Sequence, residues 1–88
     1  MAQERSDEER VLKLIERTRL LIALDDEMPT EIKLNAQPTL KMLETEIGGD
    51  SIDQGRASGL YGALYKDLAD YPDIEALLSA MRVFLPYL

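Results

Sequence analysis

Tyrosine and aspartate are the residue types with which this 88-residue chain can perform acid–base chemistry, because the sequence contains neither histidine nor cysteine. Their absence removes the commonest general base, the commonest zinc ligand and every thiolate nucleophile. A tyrosine hydroxyl can transfer a proton, and Asp50 and Asp53 place two carboxylates near a helix start. Tyrosines at helical spacing are more typical of core edges with satisfied hydroxyl groups, so we expect no catalytic activity and no cofactor. The tyrosines are Tyr61, Tyr65, Tyr71 and Tyr87.

An acidic run, Asp25-Asp26-Glu27, offers carboxylate oxygens of the kind that hold divalent metal ions. A calcium loop needs further acids at fixed spacing, and the sequence does not supply them after this run. The same residues suit a solvated turn before a new helix, where the dipole favours negative charge and Pro29 suits the first turn. We therefore expect a turn here and no metal site.

The segment Gly48-Gly49-Asp50-Ser51-Ile52 holds the most specific candidate for chemistry. It resembles the motif of acyl and peptidyl carrier proteins, in which a serine after Gly-x-Asp bears phosphopantetheine at the start of a helix. Small size and acidity agree with that resemblance, but small residues such as Gly55 and Gly59 replace the large apolar residues that carriers use next. The simpler interpretation is that Ser51 and Gln54 form a capping box that begins a helix. Phosphopantetheine on Ser51 is the alternative.

Four segments have apolar residues at the spacing of an α-helix, and no segment alternates as a strand does. The first helix is predicted from Ser6, which has capping-box spacing to Glu9, to Leu24. The third is predicted from Ser51 to about residue 69, and the fourth from Pro72, which suits the first helical position. Short connections predict that sequential helices pack antiparallel. The predicted fold class is all-α, a compact antiparallel four-helix bundle made of two helical hairpins.

The second helix is predicted over residues 29–47 and contains a proline. Its predicted buried stripe is Ile32, Ala36, Thr39, Leu43 and Ile47. Pro38 removes one backbone N–H and clashes with the carbonyl of the preceding turn, so we expect the helix to be kinked or split near this residue. We expect Gly48 and Gly49 to end it in the left-handed conformation that glycine readily adopts.

The third helix has two different faces. Its apolar face is Ala57, Leu60, Tyr61, Leu64, Leu68 and Tyr71. On the other face lie Gly55, Gly59 and Gly62, although each glycine costs a helix roughly 0.5–1 kcal/mol relative to alanine. We expect another helix of the chain to cross closely at this glycine face, so that Gly59→Ala would destabilise the protein. Self-association through the same face is the alternative.

Several large apolar residues fall outside the predicted stripes and are expected to be exposed. They are Leu20, Leu24, Leu34, Val83 and Leu88. The first four join the three glycines as candidates for an interface, because exposed apolar residues grouped together mark protein contacts. A protein partner or a homo-oligomer is therefore expected.

Two blocks of residues carry a resemblance to a known family. One is Leu24-Asp25-Asp26, Pro29, Ile32-Lys33 and Ala36, and the other is Arg56-Ala57, Leu60, Leu64, Leu68 and Asp70-Tyr71-Pro72-Asp73. In this order they resemble a small all-helical archaeal family, Uncharacterised Protein Family zero-one-four-seven, over roughly residues 20–88. The resemblance implies a helical bundle and brings no catalytic residues. Pro38, the Gly48-Gly49 turn and Tyr71 depart from the family pattern.

Charge and hydropathy bound the function further. The net charge is −7 without any run of Lys or Arg, so nucleic acid would repel the chain. No apolar run approaches the ~20 residues of a membrane span, and the first ten residues lack the apolar core of a signal peptide. We expect one cytoplasmic helical domain over residues 1–88, with residues 1–5 as a disordered tail. Its expected function is a protein–protein interaction or self-associating module, with no catalysis, no nucleic acid and no membrane.

Overall fold

Four α-helices make up the computed structural model of this chain, which describes residues 6–88. They are α1 (Ser6–Leu24), α2 (Thr30–Gly48), α3 (Gln54–Leu68) and α4 (Pro72–Phe84). No strand occurs within residues 6–88, which confirms the all-α prediction. In this described part, no helix has the length and apolarity that crossing a membrane requires. Residues 1–5, where a disordered tail is expected, lie outside the described residues.

Each helix packs antiparallel against the next one in the chain, and α4 returns to pack along α1. The contact between α3 and α4 is the slightest of the four. This up-and-down bundle brings the α1–α2 connection and the α3–α4 connection to one end of the molecule. The α2–α3 connection therefore lies at the opposite end, together with the C-terminal residues of the described chain.

The core between the helices consists of the apolar stripes that the sequence predicts. Its residues from α1, α3 and α4 are Val11, Ile15, Thr18, Ile22, Ala57, Tyr61, Leu64, Leu68, Ile74, Leu78 and Met81. Thr18 is the one buried polar residue of the described chain. Its hydroxyl donates a hydrogen bond of 2.8 Å to the backbone carbonyl of Leu14, so the buried group has a partner.

Several residues differ from their predicted burial, and Ile32, Leu60 and Tyr71 are half-buried at the edge of the core. In α2, Leu40 is fully buried, whereas the half-buried Thr39 donates its hydroxyl to the carbonyl of Asn35 at 3.1 Å. Both positions fit a helical stripe, and leucine faces the core because its burial stabilises the fold by about 1.5–3 kcal/mol. Leu88, which was expected to be exposed, is only 2% exposed. The chain turns after α4, the N–H of Leu88 donates to the carbonyl of Leu85 at 3.0 Å, and the side chain enters the core.

Helix α2 continues through Pro38, so the helix is not split at this residue. The proline leaves the carbonyl of Leu34 without its helical N–H partner. Both residues are exposed, so water can satisfy that carbonyl. Ala36 and Leu40 remain on one continuous buried face.

The end of α2 differs from the predicted left-handed termination. Gly48 and Gly49 end the helix as predicted, but no glycine of the described residues has a positive φ angle. Gly49 has φ −76° and ψ 171°, which is extended backbone. Its N–H donates to the carbonyl of Glu46, three residues earlier, at 3.3 Å, and this bond tightens the last turn of the helix. The chain then continues from Gly49 as extended backbone.

The start of α3 corrects the capping-box interpretation. The helix begins at Gln54, and Asp53 is its cap, accepting a hydrogen bond of 3.0 Å from the N–H of Arg56. Ser51 is exposed and lies before the cap, so its predicted role in starting the helix is wrong. Aspartate adds charge–dipole attraction to the capping hydrogen bond, and the half-buried Ile52 anchors the chain against the core just before it.

Candidate functional site

The turn end of the bundle, formed by residues 25–29 and 69–71, contains a surface pocket. Its volume is about 280 Å³. It is lined by Leu21, Leu24, Asp25, Tyr71, Pro72, Asp73 and Ile74. The two helical connections thus bring apolar side chains and two carboxylates together from positions almost fifty residues apart along the chain.

On one side of the pocket, Asp25 fixes the path of the α1–α2 connection. Its carboxylate accepts hydrogen bonds from the N–H groups of Glu27 and Met28, at 2.9 Å and 3.0 Å. This side-chain turn places Met28 in the core, so the carboxylate has a structural role. The turn predicted from the acidic run is confirmed. No cluster of three or more potential metal ligands occurs among residues 6–88.

On the other side, the start of α4 holds two rings at the pocket edge. Tyr71 precedes the helix and Pro72 occupies its first turn, as predicted from the sequence. The N–H of Tyr71 donates to the carbonyl of Leu68 at 3.1 Å, and the carbonyl of Tyr71 accepts from the N–H of Glu75 at 2.8 Å. Both rings are therefore held by backbone bonds on each side of the turn.

The pocket opens beside an exposed apolar surface of α1. Leu24 forms part of the pocket wall and is 74% exposed. Leu20 lies one helical turn earlier on the same side of α1 and is also exposed. The fold gains little from either side chain, because most of their surface still meets water.

The other predicted interface leucine and valine are exposed, but they lie elsewhere. Leu34 on α2 and Val83 on α4 have more than two thirds of their surface exposed, as expected. Neither lines the turn-end pocket. Met42 is a further exposed apolar residue, which was not predicted from the sequence because it lies beside the α2 stripe. Of the four apolar candidates, the structure brings Leu24 to the pocket wall.

The glycine face of α3 has no neighbour. A β-carbon built at Gly59 or Gly62 meets nothing within 4 Å, and one at Gly55 meets only the Asp53 carboxylate at 3.5 Å. The expected close crossing by another helix of the chain is therefore wrong. The neighbouring helices α2 and α4 contact the opposite face of α3, through residues such as Leu64.

The end that carries the α2–α3 connection has a second pocket of about 230 Å³, which is lined mainly by polar and charged residues. It includes Ser51, the residue with carrier-like spacing. Glu46 organises this end, because its carboxylate accepts from the N–H of Asp53 at 3.0 Å and pairs with Arg56 at 3.2 Å. Glu46 was not among the residues predicted from the sequence. Its position near the helix end gave no signal, since its partners depend on how α3 packs on α2.

Tyr61 and Tyr65 lie where α3 contacts α4, and their hydroxyl groups form hydrogen bonds that join the two helices. Tyr61 donates its hydroxyl to the carbonyl of Leu78 at 2.7 Å, and burial raises its pKa. Tyr65 donates to the carboxylate of Glu75 at 2.7 Å, which also accepts from Ser79 at 2.7 Å. The Tyr65 bond raises the pKa of that tyrosine and lowers the pKa of Glu75. Both pKa values therefore move away from neutral pH, whereas a group that transfers protons needs a pKa close to it.

Tyr87 differs from these two tyrosines. Its hydroxyl oxygen is buried and has no hydrogen-bond partner among the described residues. Burial raises its pKa, and the carboxylates of Glu8 and Glu46 raise it further. The chemistry available here is again that of a neutral hydroxyl group at neutral pH.

Comparison with protein-family models, with curated proteins and with solved structures finds no match for the chain. The resemblance to Uncharacterised Protein Family zero-one-four-seven thus stays a prediction.

Proposed function

We propose that this protein is a small helical module that binds another protein and has no catalytic activity. The observation that carries the proposal is the apolar pocket of about 280 Å³ beside the exposed Leu24. The volume of this pocket is slightly smaller than the roughly 300–1,000 Å³ of small-molecule sites. It therefore suits a single side chain inserted by a partner protein. Covering Leu24 would add up to about 1.5–3 kcal/mol of apolar burial that the isolated fold does not have.

Site-specific photo-crosslinking in cells tests this proposal. A photoreactive amino acid at position 24 is expected to give a discrete adduct with another protein, because the partner lies over the pocket. Position 83 is the matched control, since Val83 is 76% exposed and lies near the other end of α4. Equal adducts from both positions, or none from position 24, would contradict the proposed binding surface.

Self-association is a second candidate, favoured by the open glycine face of Gly55, Gly59 and Gly62. For a monomer we expect Gly59→Ala to increase the free energy of unfolding by up to about 1 kcal/mol, because alanine is the better helix former and its methyl group meets nothing. If two copies pair through this face, Gly59→Ala should instead lower the free energy of unfolding, and the size of this loss should depend on protein concentration. Thermal melting at two concentrations, with light scattering, separates these outcomes. Gly48→Ala, on α2, is the control.

A phosphopantetheine carrier is the alternative from another class. The exposed side chain of Ser51 supports access by a modifying enzyme, whereas its place before the α3 cap does not match the helix-start position of the carrier motif. Intact-mass measurement of protein from its own host tests this alternative. A pantetheine adduct that is lost in Ser51→Ala would favour the carrier over the interaction module.

A further inference from the structure

We propose that the turn end binds a basic amphipathic helical segment of the partner, with an apolar side chain in the pocket and Lys or Arg residues against its acidic rim. This inference rests on the proposed function and adds the chemistry of the partner. It is carried by the distribution of charge, by the absence of ion pairs at this end among the described residues and by the composition of the pocket wall.

The negative charge of the molecule is concentrated at the turn end and in the helical turns that adjoin it. Residues 25–33 and 66–75 contain eight acids and two lysines, a net charge of −6 out of the −7 of the whole chain. The acids are Asp25, Asp26, Glu27, Glu31, Asp67, Asp70, Asp73 and Glu75. The rest of the chain is therefore almost neutral, and the strongest attraction for a cationic partner is at this one end.

The fold does not neutralise these acids with its own cations. All ion pairs of the described residues lie outside the two segments, on pairs such as Arg19 with Glu44 and Arg56 with Glu46. The last turn of α1 contains no basic residue, although a helix C-terminus favours one. Asp73 lines the pocket and has no ion-pair partner among residues 6–88. Asp25 and Glu75 already accept hydrogen bonds within the fold, whereas the carboxylate of Asp73 is available to a cation from outside the described fold.

The pocket wall combines the two features that such a partner needs. Leu24, Tyr71, Pro72 and Ile74 offer apolar contact, and the carboxylate of Asp73 lies in the same wall. On the partner helix, residues three or four positions before or after an apolar anchor lie on the same side of the helix as the anchor. Lys or Arg at those positions would reach the rim while the anchor fills the pocket. This is the helix-in-groove mode of recognition, with a basic instead of a neutral helix.

The same charge argues against other occupants. A second copy would bring another turn end with a net charge of −6 against the first one, which is repulsive in a face-to-face arrangement. Nucleic acid and anionic lipid surfaces would be repelled for the same reason. A cationic protein segment is the occupant that gains from both the acids and the apolar wall.

The test uses the full chain, labelled with ¹⁵N, and three synthetic peptides of about 18 residues, long enough to form a helix when bound. The first has a central leucine with lysines three and four positions before and after it, on the same side of the helix. The second has the same composition in scrambled order, and the third has glutamate in place of lysine. We expect the first to bind most tightly and to shift the amide signals of Leu24, Tyr71 and Asp73. Raising the salt from about 0.01 M to about 0.15 M shortens the Debye length from about 30 Å to about 8 Å and should weaken this binding by about tenfold or more.

Matched variants locate the binding. Leu24→Ser should weaken the lysine–leucine peptide by about tenfold, as loss of an interface anchor does, whereas Val83→Ser should change it by less than about twofold. Asp73→Asn should weaken it by about two- to fivefold, the size of one exposed ion pair, and Asp50→Asn should leave it unchanged. Far-ultraviolet circular dichroism of each variant checks that the bundle remains folded.

Each result decides between parts of the proposal. Equal binding of the glutamate peptide, equal binding of the scrambled peptide, or signals shifted away from the turn end would overturn the basic amphipathic partner. Absence of peptide binding together with a discrete adduct from position 24 would overturn the partner chemistry and leave the proposed function standing. Absence of both would overturn the two together. Concentration-dependent mass without peptide, with Leu24 signals shifted, would identify a second copy as the occupant and overturn the proposal.

Discussion

At the α2–α3 end the chain buries the leucines that follow α4, although Met42 and Val83 stay exposed, whereas at the turn end two neighbouring leucines of α1 stay exposed beside the pocket. Leu85 and Leu88 follow α4 and are buried, and Ile52 is half-buried against the same core. At the turn end, Leu20 and Leu24 have more than half of their surface in water. The two pockets are similar in volume, about 230 Å³ and about 280 Å³, so the difference lies in what surrounds them.

Charge follows the same division. At the α2–α3 end, the carboxylate of Glu46 holds the N–H of Asp53 and the guanidinium of Arg56. At the turn end, the Asp73 carboxylate has no cation partner among the described residues. The comparison teaches that at one end the fold itself supplies a cation partner for its central carboxylate and buries the leucines nearby. The other end would gain both apolar burial and charge pairing from a partner, which is why we assign binding to it.

The largest expected effect tests whether the two ends differ in apolar burial. Leu88→Ala should lower the free energy of unfolding by about 2–4 kcal/mol, because the removed atoms leave a cavity in the core. Leu24→Ala, at the turn end, should change it by less than about 0.5 kcal/mol. Urea denaturation of both variants measures the difference. Similar losses for the two leucines would remove the distinction between the ends.

The next effect tests the difference in charge pairing. Glu46→Gln should destabilise by about 1–2 kcal/mol, since the side chain keeps one acceptor oxygen but loses the charge that attracts both partners. Asp70→Asn, an exposed acid after the C-terminus of α3, should be neutral or slightly stabilising because it removes repulsion with the helix dipole. Chemical denaturation at low salt compares them. A larger loss for Asp70→Asn than for Glu46→Gln would contradict the comparison.

A smaller effect locates the helix cap at the α2–α3 end. Asp53→Ala should destabilise by about 0.5–2 kcal/mol, because the N–H of Arg56 loses its acceptor. Ser51→Ala should change stability by less than about 0.5 kcal/mol, as is usual for an exposed side chain. Thermal melting of both variants is the measurement. The opposite ranking would restore the capping box predicted from Ser51.

The smallest effects are expected from pH. The pKa of Glu44 is lowered mainly by its hydrogen bond from Arg19, and that of Glu75 by its bond from Tyr65, from ordinary values of 4.5. The unfolded chain therefore binds protons first on acidification, and stability falls as pH decreases through about 4.5 and below. Raised tyrosine pKa values act in the opposite direction, so stability should also fall above about pH 10.

Between about pH 5.5 and 7.5 we expect nearly constant stability, because the chain has no histidine. Denaturant midpoints across the pH range check this. Glu44→Gln should flatten the acid limb, because the variant lacks the carboxylate that pairs with Arg19. A cooperative transition near pH 6.5 would reveal a buried acid that the structure does not show.

The sequence alone determined the helices and most of the core. Apolar residues at helical spacing place Val11, Ile15 and Ile22 on one face of α1, and Tyr71-Pro72 marks the start of α4. These features depend on interactions between residues that are close along the chain, so local chemistry is enough to predict them. Exposure of Leu20, Leu24, Leu34 and Val83 followed from the same spacing.

The tertiary structure decided what lies next to each helix face. The low helix propensity of three glycines led us to predict a neighbouring helix at the glycine face. This face is open, because α2 and α4 both pack on the opposite side of α3. Asp53 and not Ser51 caps α3, because Glu46 of α2 holds the preceding backbone in place. The candidate binding surface joins residues around Leu24 and Asp73, and their proximity depends on how α4 packs along α1. Spacing along one chain segment gives the direction of each side chain but not which distant segment it will meet.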